Sequence, residues 1–169
     1  GGSQGSAPIN NHIINNIKFY LENKYQIIWQ CGKNNYNDIP HKIKNNKNII
    51  LKKFFNNMSL IYSAADIVIS RAGALAISEL LYLNKASILI PYRYAADNHQ
   101  NKNADIILEH KACIKINESD FESGQLEKSI KKTLNNIALI KQLEHNSRKI
   151  SKPNATKDIV NAIKRIIND

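Results

Sequence analysis

Short β-branched runs alternate with stretches of helical spacing along most of this chain, and nothing else in the sequence narrows the fold as much. Residues 25–30 (YQIIWQ), 48–52 (NIILK), 66–70 (DIVIS), 86–91 (ASILIP) and 112–116 (ACIKI) each read as a strand. Over 6–23, Ile13, Ile14, Ile17, Tyr20 and Leu21 recur at helical intervals. Further helices are predicted over 57–64, from Gly73 to about Leu83, and over 99–110. Residues 34–47 read as a weak polar helix or a loop. Two or three helices run to the end, interrupted near Pro153. Short apolar strands joined by helices are parallel strands with crossover connections. The expected fold is α/β: a doubly wound, Rossmann-like parallel sheet with helices on both faces.

Composition sets the outer bounds. A length of 169 residues suits one domain with a real core. No apolar run approaches the roughly 18 residues of a membrane span, and no secretory signal is visible. Cys31 and Cys113 have neither CxxC spacing nor histidines at metal-ligand intervals, so two plain thiols in a reduced, cytoplasmic chain are expected and no metal. The formal charge of +10 reads either as attraction to an anionic partner or as the Asn-, Ile- and Lys-rich usage of an AT-rich genome. The lysines are scattered and no aromatic–basic stripe is present, so no nucleic-acid partner is expected.

In such a sheet, ligands bind beyond the carboxyl ends of the strands. Three loops there carry chemistry. GGSQGS (1–6) is a small-residue turn before a helix, where backbone N–H groups and the positive helix end suit a phosphate. It is not GxGxxG and no acidic residue follows at the dinucleotide spacing, which disfavours a nicotinamide cofactor. SRAGALAISE (70–79) repeats the logic, with Gly73 and Ala74 at a helix start. Glu79 either accepts hydrogen bonds from a vicinal diol such as ribose or is a solvated surface acid. Arg71 either neutralises a phosphate or pairs with a nearby acid. PYRYAADNHQNKNA (91–104) is dense in planar polar groups, Asp97, Asn98, His99, Gln100 and Asn103, of the kind that read sugar hydroxyls. Asp97 or Asn98 is the predicted helix N-cap.

These pieces together, GGSQG, then IIWQCGK, then FFNNMSLIYSAADIVISRAGALAISELLYLNKASILIPY, then ADNHQNKNA, resemble the carboxyl-terminal domain of the MurG-type transferases of glycosyltransferase family 28, whose two-domain architecture is GT-B. The resemblance covers essentially the whole chain. It implies a donor-binding domain over 1–169, cut at its amino end. GGSQGS would then follow a first strand, and an acceptor-binding domain would precede it. Without that strand the sheet is expected to open at its centre and the fold to be marginal.

Site roles follow from the resemblance one position at a time. Ser3 and Gln4 would contact the diphosphate and sugar of UDP-N-acetylglucosamine. The backbone at Phe54 and Phe55 would recognise the uracil edge, with Met58 close by. Gly73, Ala74 and Leu75 would face the phosphates, and Glu79 would hold the ribose hydroxyls. His99 and Gln100 would bond N-acetylglucosamine, with Asn103 nearby. Ala76 stands where the family often has Thr, His99 where some members have Gln, and the stretch 34–47 matches poorly. The implied reaction is inverting transfer of N-acetylglucosamine to lipid I, held by the other domain, in peptidoglycan synthesis on the cytoplasmic face of the membrane. No DxD motif occurs and no cofactor is expected. The general base is expected on the other domain, although His99 has the right chemistry for one. Alternatives of the same architecture are a UDP-N-acetylglucosamine epimerase and the donor subunit of a split transferase.

Overall fold

Isoleucine meets isoleucine where the first two strands pair. β1 (Ile27–Gln30) lies parallel to β2 (Ile49–Lys52), with Ile27 opposite Ile49 and Gln30 opposite Lys52. β3 (Val68–Ser70), β4 (Ser87–Leu89) and β5 (Ile114–Lys115) form a second parallel ladder in that order. The computed structural model describes residues 4–168. Among them no ladder joins the two sheets. One core nevertheless serves both, since Trp29 and Ile49 share a buried cluster with Ile88, Ile90 and Ile116.

The helices are α1 (Ala7–Asn15), α2 (Ile17–Glu22), α3 (His41–Lys44), α4 (Met58–Ala64), α5 (Ala74–Tyr82), α6 (His99–Glu109), α7 (Gln125–Leu134), α8 (Ile137–Ile150) and α9 (Ala155–Asn168). They cover both faces of the sheet, and β4 shows why. Ile88 and Ile90 pack with Ile9 and Ile13 of α1 and with Leu126 and Ile130 of α7. Leu89 packs the other way, with Tyr62 of α4, Leu80 of α5 and Ala104 and Ile107 of α6. Alternate residues of a strand face opposite sides, so a strand buried on both must be apolar throughout. That is the origin of the unbroken ILI run at Ile88, Leu89 and Ile90. Each such side chain contributes roughly 1.5–3 kcal/mol by its burial.

The predicted helix over 6–23 is two helices. Asn16 sits between them with φ −105° and ψ 15°, and its Nδ2 donates to the His12 carbonyl at 2.9 Å. An asparagine that bonds the backbone of its own turn competes with the helix ladder. The polar stretch 34–47 contributes one short helix, α3, whose Ile43 is buried. Both cysteines are free and buried. Burial holds both thiols above their ordinary value, Cys113 at about 12, which leaves them unreactive. α9 keeps Ile159, Val160, Ile163 and Ile166 exposed. Among the described residues no helix is long and apolar enough to cross a membrane.

A nearly buried ion pair fastens α1 to α7. His12 Nε2 donates to Glu127 Oε1 at 2.7 Å, and Phe121 stacks against the imidazole with ring centroids 4.3 Å apart. Burial by itself raises the Glu127 pKa. Hydrogen bonds from His12 and the backbone, with the His12 charge, more than offset that and hold the carboxyl below its ordinary 4.5. A carboxylate depressed in the folded state stabilises the fold above its unfolded value, and the gain is lost as pH falls through the folded value. Thermal melts between about pH 6 and pH 3 should therefore fall more steeply for the native chain than for Glu127→Gln. Parallel slopes would show that this pair does not set the acid limit.

Candidate functional site

The strands within each ladder are parallel, so the segments that leave their carboxyl ends emerge on one edge of that ladder. Five do so: Cys31-Gly32 after β1, Lys53–Asn57 after β2, Arg71–Gly73 after β3, Pro91–Asn98 after β4 and Ile116–Asn117 after β5. Ser3 lies outside the described residues, as do Gly1 and Gly2, and Gln4 is exposed at the approach to α1.

The glycine turn is locked against the end of β1. Gly5 (φ +76°) and Gly32 (φ +84°) cross so closely that neither tolerates a side chain. A Cβ on Gly5 would sit 2.0 Å from the Cys31 carbonyl oxygen, and one on Gly32 would sit 2.2 Å from that of Gln4. Asn10 seals the arrangement from inside α1. It donates to the Cys31 carbonyl at 2.8 Å and accepts from Trp29 Nε1 at 3.0 Å. The start of α1 is thus held rigidly at the strand edge. Gly32 and Asn10 escape a reading of the glycine turn alone, although the Cys-Gly pair directly after a strand was a usable signal.

At the end of β2, Phe55 is buried and Phe54 is about half exposed. The Phe55 amide donates to Gln30 Oε1 at 2.9 Å, so this N–H is already engaged. Met58 opens α4, capped by Asn57, whose side chain accepts from the Leu60 amide at 3.1 Å.

At the end of β3, Gly73 caps α5 in extended conformation, and a Cβ there would meet nothing within 4 Å. Open space therefore lies over Ala74 and Leu75, both exposed at the positive end of the helix. Two turns further on, Glu79 is half-buried and accepts from the Tyr62 hydroxyl at 3.1 Å. Arg71 resolves toward an acid. It pairs with Glu118, donates to the Ile90 and Pro91 carbonyls at 3.2 and 3.1 Å, and lies over the Tyr92 ring. Its charge is neutralised within the protein, and it braces the β3, β4 and β5 ends together.

The third loop is strained and self-bonded. Asp97 and Asn98 both adopt left-handed φ, +50° and +55°, a conformation non-glycine residues take at a cost. Neither makes the predicted side-chain N-cap. Asn98 Oδ1 instead accepts from Asn101 Nδ2, because the left-handed backbone turns it away from the first-turn amides. His99 is exposed, and its Nδ1 donates to the Ala96 carbonyl at 2.7 Å, which leaves Nε2 as the outward ring nitrogen. Gln100 Oε1 accepts from the Tyr92 amide at 3.0 Å, which leaves its NH2 group for other contacts. Asn103 Nδ2 donates to the Ala72 carbonyl at 3.1 Å. That bond fastens the start of α6 to the loop carrying Gly73. The second and third loops are therefore one unit, joined by Asn103 and Arg71. The first is anchored separately, to β1 and, through the Gly32 amide on the Lys53 carbonyl at 3.1 Å, to the end of β2.

This geometry can hold an extended anionic ligand. Helix starts supply backbone N–H groups, one carboxylate has spare acceptor capacity, and planar amides and an imidazole provide directional bonds. The chain is also similar to known proteins. The curated UDP-N-acetylglucosamine--N-acetylmuramyl-(pentapeptide) pyrophosphoryl-undecaprenol N-acetylglucosamine transferase of Flavobacterium psychrophilum is 39% identical over 167 residues, 99% of this chain and 45% of that protein. Its namesake from Thermodesulfovibrio yellowstonii is 38% identical over 163 residues, 95% of this chain and 44% of that protein. The crystal structure of Acinetobacter baumannii MurG superposes with a TM-score of 0.77 at 25% identity, covering 98% of this chain and 48% of that one. The chain thus spans a little under half the length of the relatives it matches. The family model for the glycosyltransferase family 28 C-terminal domain matches residues 1–164, and this chain belongs to that family.

Proposed function

We propose that this chain is the donor-binding domain of an inverting glycosyltransferase that moves N-acetylglucosamine from UDP-N-acetylglucosamine to lipid I, making lipid II in peptidoglycan synthesis. The observation that carries the reading is chain-long similarity to relatives whose name states that transfer. The polar loops that follow the carboxyl ends of the parallel strands in both ladders support it. The transferase name of these relatives favours transfer over epimerisation. The acceptor and the general base belong to a second domain, and the whole enzyme works peripherally on the cytoplasmic face of the inner membrane.

Each part of the donor has a match. The starts of α1 and α5 point backbone N–H groups and positive helix ends at the diphosphate, helped by Ser3 and Gln4 in the first loop and by the open space over Gly73, Ala74 and Leu75. As the acceptor hydroxyl attacks the anomeric carbon, negative charge builds on the departing UDP. Fixed amide donors stabilise it without reorganising. Glu79 takes the ribose hydroxyls. Uracil lies against the Phe54–Phe55 segment and Met58. Since Gln30 holds the Phe55 amide, the Phe54 backbone is the first candidate for the base edge. His99 Nε2 and the Gln100 amide address the sugar. Asn103 acts by joining the two loops.

Calorimetric titration tests the reading. UDP should bind this chain more tightly than ADP or CDP, and Glu79→Ala should remove most of that affinity. Equal binding of all three nucleotides would reject it.

A further inference from the structure

We infer that Tyr62 is a positioning residue for ribose recognition: its hydroxyl holds the Glu79 carboxylate in the orientation that receives a vicinal diol. The inference rests on the assignment of Glu79 to the ribose of the donor and deepens it.

Three observations carry it. The Tyr62 hydroxyl lies 3.1 Å from Glu79 Oε2, and an ionised carboxylate only accepts, so the tyrosine donates. Tyr62 is itself 7% exposed and packed in the core cluster between α4, α5 and α6, so the donor does not move. Burial, and then the neighbouring Glu79 charge, push the Tyr62 pKa up to about 12, which keeps its proton in place at any working pH. Glu79, by contrast, is half-exposed on a flexible side chain and would otherwise sample several rotamers. With Oε2 fixed by one bond, Oε1 and the remaining lone pair of Oε2 present a fixed pair of acceptors, the arrangement two adjacent hydroxyls need.

The placement has a second consequence. Met58 and Tyr62 are one turn apart on the same side of α4, and α4 begins three residues after Phe55. The helix that carries the base-side contact therefore also sets the ribose-side carboxylate. Base and ribose contacts are thereby coupled through α4, although the ribose carboxylate itself belongs to α5.

The test compares UDP with 2′,3′-dideoxy-UDP by calorimetry on the native chain, Y62F, E79A and the double variant. Phenylalanine keeps the buried ring, so Y62F retains the fold, and a thermal melt on the same sample checks it. Y62F should bind UDP about tenfold more weakly while binding the dideoxy analogue as the native chain does. In the E79A background Y62F should cause no further loss. Y62F weakening both ligands equally, or neither, would overturn the positioning role while leaving the Glu79 assignment intact. A native chain that does not prefer UDP over the dideoxy analogue would overturn both together.

Discussion

Gly32→Ala is expected to destabilise the fold by about 3–4 kcal/mol, lowering the melting temperature by roughly 10 °C for a chain of this size. Two costs combine. Gly32 has φ +84°, and a left-handed conformation costs a residue with a Cβ roughly 1–2 kcal/mol. The new Cβ would also lie 2.2 Å from the Gln4 carbonyl oxygen and 2.5 Å from the Gly5 amide. These are backbone atoms, not the ends of flexible side chains, so relief requires the glycine turn to move. That turn is held by the Asn10 bonds to Cys31 and Trp29, and shifting it disturbs them too. The effect should reach function, because the displaced segment carries Gln4 and the start of α1. Differential scanning calorimetry with a UDP titration checks both halves. A melting temperature within a degree or two of native would mean that the close crossing at Gly5 and Gly32 does not constrain the fold.

Glu79→Ala should lower UDP affinity on the order of 100-fold, since charge-assisted hydrogen bonds to two hydroxyls contribute about 1.5–3 kcal/mol each before non-additivity. The same change leaves the buried Tyr62 hydroxyl without its acceptor, which costs roughly 1–2 kcal/mol of stability. Glu79→Gln separates the effects. Its amide oxygen still accepts from Tyr62, so stability is retained, while the lost charge weakens the ribose contact. Calorimetric titration of both variants beside their melts measures the two contributions. Unchanged UDP binding in Glu79→Ala would place the ribose elsewhere.

The parallel α/β architecture was legible because burial on both faces leaves a signature in single strands. DIVIS and ASILIP are apolar runs too short for helices, and they became β3 and β4 at the middle of the packed layers. Local competition was harder to see. Asn16 breaks the first helix through a bond to its own turn, and nothing in the spacing of Ile13, Ile14, Ile17 and Tyr20 signals that choice. The strands are also shorter than the runs that contain them, because the flanking residues serve turns and connections.

Loops at strand ends were legible as a class, since parallel topology fixes where they emerge. Their internal bonding was not. Arg71 meets Glu118, a partner brought by β5 from far along the sequence. The expected cap at Asp97 or Asn98 fails because both residues are left-handed, a property composition does not announce. Tyr62 sits inside a helix whose spacing reads as core, and only its 3.1 Å approach to Glu79 sets it apart. Gln30 likewise reads as the polar end of a strand until it is seen on the Phe55 amide.

The proposed function requires the separate loops to serve one ligand. Backbone amide shifts in two-dimensional NMR, recorded while UDP-N-acetylglucosamine is added to the chain, test it directly. Gln4–Gly5, Phe54–Phe55, Gly73–Leu75 and His99–Gln100 should shift together along one saturation curve. Shifts confined to one of these segments, or centred on residues away from the carboxyl edge of the sheet, would contradict it.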